Sequence, residues 1–147
     1  MATFNANSNP PTTDGRDDII GTVDADVIEA LEGNDDISGL GGDDNIDAGD
    51  GNDDVVAGDG NDTVIAGEGS DKVLGGAGDD SLSGGDGKDK LYGGGDNDII
   101  HGGDDKDRVI GGAGDDTLNG GLGSDKIYGG VGNDVIYGGS SGGPRLD

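Results

Sequence analysis

A nine-residue period governs this chain. AGDGNDDVV (48–56) is followed directly by AGDGNDTVI (57–65), and with Thr12 as first position fourteen such blocks run to Tyr137 without insertion or deletion. The sixth position is Asp in every block: Asp17, Asp26, Asp35, Asp44, Asp53, Asp62, Asp71, Asp80, Asp89, Asp98, Asp107, Asp116, Asp125 and Asp134. The eighth is aliphatic in every block, from Ile19 to Ile136. By composition alone, 29% hydrophobic residues and a net charge of −25 suit a disordered chain. Disorder has no reason to keep phase over fourteen blocks.

The residue types say what each block does. Position four is Gly in eleven blocks and position two is Gly from the fifth block on. Such glycines permit positive φ and let backbone carbonyls crowd toward one point. A six-residue turn followed by a three-residue strand fits the pattern, with position eight pointing inward and positions seven and nine outward. A hard cation such as Ca²⁺ takes six to eight oxygens from carboxylates and carbonyls. Position six offers the first kind and the Gly-rich turn the second.

GGAGDDSLS (75–83), GGAGDDTLN (111–119) and GGVGNDVIY (129–137) match the pattern G-G-x-G-x-D-x-U-x at every defined position. The array at 12–137 therefore resembles the RTX (repeats-in-toxin), or hemolysin-type, calcium-binding repeats. The resemblance implies an all-β fold, a right-handed parallel β-roll (a β-solenoid) of about seven 18-residue coils. It also implies that each calcium sits between the turns of blocks n and n+2, so that Asp53 pairs with Asp71 and Asp62 with Asp80. Fourteen turns on two edges allow up to about twelve ions. Side-chain ligands would be the fourteen position-six aspartates. Carbonyl ligands would come from turn residues such as Gly49, Gly51, Gly58, Gly60, Gly67, Gly69, Gly76, Gly78, Gly85, Gly87, Gly112, Gly114, Gly121 and Gly123. Twelve divalent ions would bring +24 against −25, so stacked carboxylates that repel without metal become nearly neutral with it. The expectation is a chain unfolded without calcium and folded with it, in a secreted bacterial protein, with export by type I secretion a further implication. Departures from the pattern are Thr13, Thr22, Leu31 and Leu40 at position two and Asp24, Asp96 and Asp105 at position four; Asp enters left-handed conformations less readily than Gly.

Other function classes fit poorly. A charge of −25 opposes nucleic acid and anionic lipid, no cysteine is available for a disulfide or thiolate site, and nothing approaches a membrane span. His101 is the single histidine, on an outward position, so no His-based triad or zinc cluster can form. Lys88 follows Gly87 outside any P-loop, and the Asn61-Asp62-Thr63 sequon falls inside a turn. No EF-hand loop is present, and nine-residue recurrence marks the aspartates as ligands rather than glycosidase acids. The chain reads as a non-enzyme. Residues 1–11 read as a flexible leader without the apolar core of a cleavable signal, and 138–147 as a Gly/Ser-rich tail without a recognisable type I secretion signal. The array is therefore expected to be either excised or self-sufficient, with Tyr128 and Tyr137 partly covering its last coil.

The two outer faces differ. On odd blocks, position seven runs Asp18, Asp36, Asp54, Lys72, Lys90, Arg108, Lys126, and position nine runs Ile20, Ser38, Val56, Leu74, Tyr92, Ile110, Tyr128. Even blocks carry no charge at position seven, which reads V/N/T/S/I/T/V. That row is too irregular for an ice- or mineral-binding Thr ladder. Exposed strands favour β-branched and aromatic residues in any case. The alternative is a calcium-dependent adhesive or self-assembling surface, with Val56, Leu74, Tyr92, Ile110 and Tyr128 as partner-binding residues and a homodimer as its simplest form.

Overall fold

A computed structural model describes residues 3–5 and 15–140. Among them there is no helix, every strand pairs in parallel, and from Asp18 on each pairs with the strand one coil away. One eight-stranded sheet runs in spatial order through Thr3–Asn5, Asp18–Ile20, Asp36–Gly41, Asp54–Asp59, Lys72–Ala77, Lys90–Gly95, Arg108–Ala113 and Lys126–Val131. A seven-stranded sheet runs through Val27–Glu29, Asn45–Asp50, Thr63–Gly69, Ser81–Gly87, Ile99–Asp104, Thr117–Leu122 and Val135–Tyr137. The chain alternates between the sheets once per block, so residues 18 apart lie in register: Lys90 pairs with Lys72 and Arg108, and Ile100 with Leu82 and Leu118. This is a β-solenoid of about seven coils.

The strands are longer than the triplet expected from positions seven to nine. Most run six or seven residues, continuing through positions one to three of the next block. Glycine explains the extension. At Gly94, paired with Gly76 and Gly112, φ is 128°, a conformation an L side chain rarely adopts. Without a Cβ the backbones can keep pairing past the bend. Among the described residues, the four non-Gly residues with positive φ are Leu31, Leu40, Asp96 and Asp105, at 68–79°. All four stand at the departures from the pattern, so the turn geometry persists there despite the strain.

The interior is a single file of aliphatic side chains between the sheets. Position eight is buried from Ile19 through Leu118, joined by Ala30, Ala48, Ala57 and Ala66 at position one. Each coil covers the next, and the file ends where coils run out. Ile127 is half-buried and Ile136 is 48% exposed. The tyrosines do not cover that end, since Tyr137 is itself 57% exposed. At the other end Thr3–Asn5, inside the leader, adds a strand beside Asp18–Ile20. The rest of the leader and residues 141–147 of the tail lie outside the described residues.

Candidate metal centre

The solenoid brings the fourteen position-six aspartates into two lines, one along each edge where the chain crosses between sheets. Twelve of them, Asp17 to Asp116, are buried, and Asp125 and Asp134 are half-buried. Within each line the carboxylates interlock. The backbone N–H of Asp53 donates to Oδ1 of Asp71 at 2.9 Å, that of Asp62 to Oδ1 of Asp80 at 2.9 Å, and that of Asp80 to Oδ1 of Asp98 at 2.9 Å. The same bond recurs at every coil from Asp17–Asp35 to Asp116–Asp134. Each aspartate thus leans back into the gap between its own turn and the preceding one.

The second oxygen of the same carboxylate has nothing to bond. Oδ2 is buried without a hydrogen-bond partner in Asp35, Asp44, Asp53, Asp62, Asp71, Asp80, Asp89, Asp98, Asp107, Asp116 and Asp125. A buried polar atom without a partner is costly, and a buried charge more so. Burial accordingly pushes up the carboxyls from Asp35 to Asp116. Neighbouring carboxylates add to the rise, and the N–H bond from the previous coil partly offsets it. Asp53, Asp71, Asp80, Asp89 and Asp107 reach about 6 and Asp98 about 7. Asp35, Asp44, Asp62 and Asp116 are raised for the same first reason.

The turn glycines supply the other side of each gap. Carbonyl oxygens of Gly33, Gly51 and Gly69 on one edge, and of Gly42 and Gly60 on the other, lie against the Cα of the glycine one coil on, where a Cβ could not fit. The same holds for carbonyls of Gly49, Gly58, Gly67, Gly76, Gly85, Gly112, Gly114 and Gly121. Carbonyls of one turn and the carboxylate of the next therefore share one inter-coil gap. Among the described residues no three His, Cys, Asp or Glu side chains converge, so a cation here would draw most of its ligands from backbone oxygen. That donor set suits a hard cation and excludes soft ones.

A family model of the RTX calcium-binding nonapeptide repeat matches the chain in overlapping segments from residue 11 to residue 141. The chain belongs to that family. No curated protein and no solved structure matches it. The RTX nonapeptide is a structural calcium-binding repeat.

Position one escaped the sequence reading. At Gly75, Gly93 and Gly111 a Cβ would fall inside the van der Waals envelope of Oδ2 of Asp80, Asp98 and Asp116 of the same block. The space beside the unpartnered oxygen is thus kept open by a missing side chain. In four N-terminal turns Ala30, Ala48, Ala57 and Ala66 stand there, all fully buried. The signal was present as a first position restricted to Gly or Ala from Gly21 to Gly129. It reads as ordinary Gly-richness until the carboxylate is seen beside it.

Proposed function

We propose that the chain is a calcium-folded module in which each ion sits in the gap between turns 18 residues apart, held by a position-six carboxylate and turn carbonyls. The buried, unpartnered Oδ2 in eleven successive aspartates carries this reading. A metal-free rod would keep two lines of desolvated carboxylates a coil spacing of about 4.8 Å apart, and a divalent ion in each gap answers both the missing partner and the repulsion. Up to about twelve ions fit the array, one for each interlocked aspartate pair. The aliphatic file is one side chain wide, too little to order so glycine-rich a chain unaided. Ligand binding to the folded state alone stabilises it by mass action, site by site. Calcium supply then decides where the module folds. Extracellular modules typically bind at about 10⁻⁴–10⁻³ M, so it would remain extended inside a bacterial cell and fold once secreted.

Circular dichroism of chelator-treated protein, titrated with calcium from micromolar to tens of millimolar beside a magnesium control, tests this reading. The expected result is a cooperative coil-to-strand transition with calcium and none with magnesium. Full strand content in chelator would refute it.

A further inference from the structure

We infer that the rod pairs with a second copy of itself through the outer face of the eight-stranded sheet, the two rods antiparallel about a twofold axis along the strands at Lys72. In register along that face, Asp18, Asp36 and Asp54 are followed by Lys72, Lys90, Arg108 and Lys126. Like charges directly opposite on neighbouring strands destabilise a sheet, and the protein carries only eight Lys and Arg in all, so four stacked ones need an outside reason. Within the chain Lys72 pairs with Asp54 at 2.8 Å and Arg16 with Asp36. Arg108 lies over the Tyr128 ring, 5.4 Å from its centroid. Lys90 and Lys126 meet no carboxylate among the described residues.

The axis along the strands keeps each row opposite its own copy and reverses the coil order. Asp18 then faces Lys126, Asp36 faces Arg108 and Asp54 faces Lys90, each pair twice. Only Lys72 meets itself, and it is the lysine already held by an aspartate of its own chain. The neighbouring row is complementary under the same operation. Val56 meets Tyr92, Ile20 meets Tyr128 and Leu74 meets Leu74. Ser38, the one small residue of that row, floors an open groove between Ile20 and Val56, and Ile110 stands opposite it. The other face-to-face twofold, along the rod, sets charges against apolar residues and like ends together. One operator thus satisfies charge, shape and hydrophobicity at once, as an isologous interface must.

Size and charge set the affinity. Seven coils at about 4.8 Å make the face about 30 Å long. At about 10 Å wide, two such faces bury roughly 600 Å² in total, in the range of weak, transient encounters rather than of tight complexes. The dimer is weak and salt-sensitive. The inference rests on the calcium reading in one respect: metal-free copies at −25 each repel, whereas loaded copies approach neutrality.

Sedimentation equilibrium of the full chain in saturating calcium, from about 10 µM to 1 mM, tests the pairing, and circular dichroism in the same buffer reports separately on the calcium reading. The expected result is a monomer–dimer equilibrium weakened at least tenfold by 0.5 M salt. Asp18→Lys or Lys126→Asp alone should raise the dissociation constant about tenfold, and the two together in one chain should restore it. A fully stranded protein that stays monomeric at 1 mM overturns the inference. So does a dimer whose affinity the double exchange fails to restore, because only the antiparallel axis opposes those two residues.

Discussion

Two ladders of polar side chains run side by side along the edge of the rod that carries Asp44 to Asp134, and they obey opposite rules. At position five the ladder is exposed. Asn61 N–H donates to Oδ1 of Asp43, Asp79 N–H to Oδ1 of Asn61, Asn97 N–H to Oδ1 of Asp79 and Asp115 N–H to Oδ1 of Asn97, all at 2.8–2.9 Å. At position six the ladder is buried and runs the other way, each N–H donating to the aspartate of the following coil. The backbone bond is the same in both, and position five shows that asparagine serves it as well as aspartate. Position six nevertheless uses aspartate fourteen times. Hydrogen bonding therefore does not explain that choice. What aspartate has and asparagine lacks is a charged second oxygen, and at position six that oxygen is the atom left without a partner.

Adjacent residues test the distinction. Asp98→Asn keeps an acceptor for the Asp80 N–H but replaces the unpartnered oxygen with an amide that repels a cation. Losing an interaction of a buried charge costs about 1.5–3 kcal/mol, and about 1.4 kcal/mol is tenfold in a binding constant. The calcium midpoint of strand formation should rise about tenfold or more, with fewer ions bound by calorimetry. Asn97→Asp, one residue away and exposed, should shift that midpoint about twofold or less, because surface charges interact weakly. Equal effects at 97 and 98 would erase the difference between the ladders.

Acid separates the ladder's two roles. Asp53, Asp71, Asp80, Asp89 and Asp107 titrate near 6 in the folded metal-free rod and Asp98 near 7, all raised from 3.8 chiefly by burial. The folded state holds more protons than the unfolded one between those values, so metal-free stability is greatest below about pH 4 and falls as pH rises toward 7. Chelated protein taken from pH 7.5 to pH 4 should gain strand content by circular dichroism. Protons should also compete with calcium, so the calcium midpoint of binding rises as pH falls below 6. A chelated chain equally unstructured at both values would show that the carboxylate lines are not what holds it open.

The period made the coil, the inward aliphatic and the 18-residue register legible, because Asp at position six and an aliphatic at position eight never lose phase. The length of the strands was not legible. Gly-Gly at positions one and two signals a turn by propensity, and only stacking shows that those glycines continue the pairing, as Gly94 does between Gly76 and Gly112. The position-five ladder was hidden for another reason. Asp43, Asn61, Asp79, Asn97, Asp115 and Asn133 alternate along one edge, but in sequence they stand 18 apart, with Asn52 and Ser70 of the other edge between them. The capping role of Tyr128 and Tyr137 was misjudged, since an outward strand position carries the ring away from the open end that Ile136 exposes.

A smaller effect than that of Asp98→Asn comes from the space beside the unpartnered oxygen, and it divides the array lengthwise. From Gly75 onward every first position through Gly129 is glycine, whereas Ala30, Ala48, Ala57 and Ala66 stand in the N-terminal half. A methyl beside the carboxylate must displace it or narrow the gap, so the C-terminal turns should bind calcium more tightly than the alanine turns. Gly93→Ala places the methyl against Asp98, and it should raise the calcium midpoint a few-fold without changing the strand content reached at saturation. Ala57→Gly should lower it slightly, less than the mirror change raises it, because glycine also makes the unfolded chain more flexible at a cost of roughly 0.5–1 kcal/mol. Isothermal titration of both variants beside the parent distinguishes the cause. If the methyl acts through the metal, Gly93→Ala weakens calcium binding but leaves the acid-induced strand content of chelated protein intact. If it acts through packing alone, both fall together.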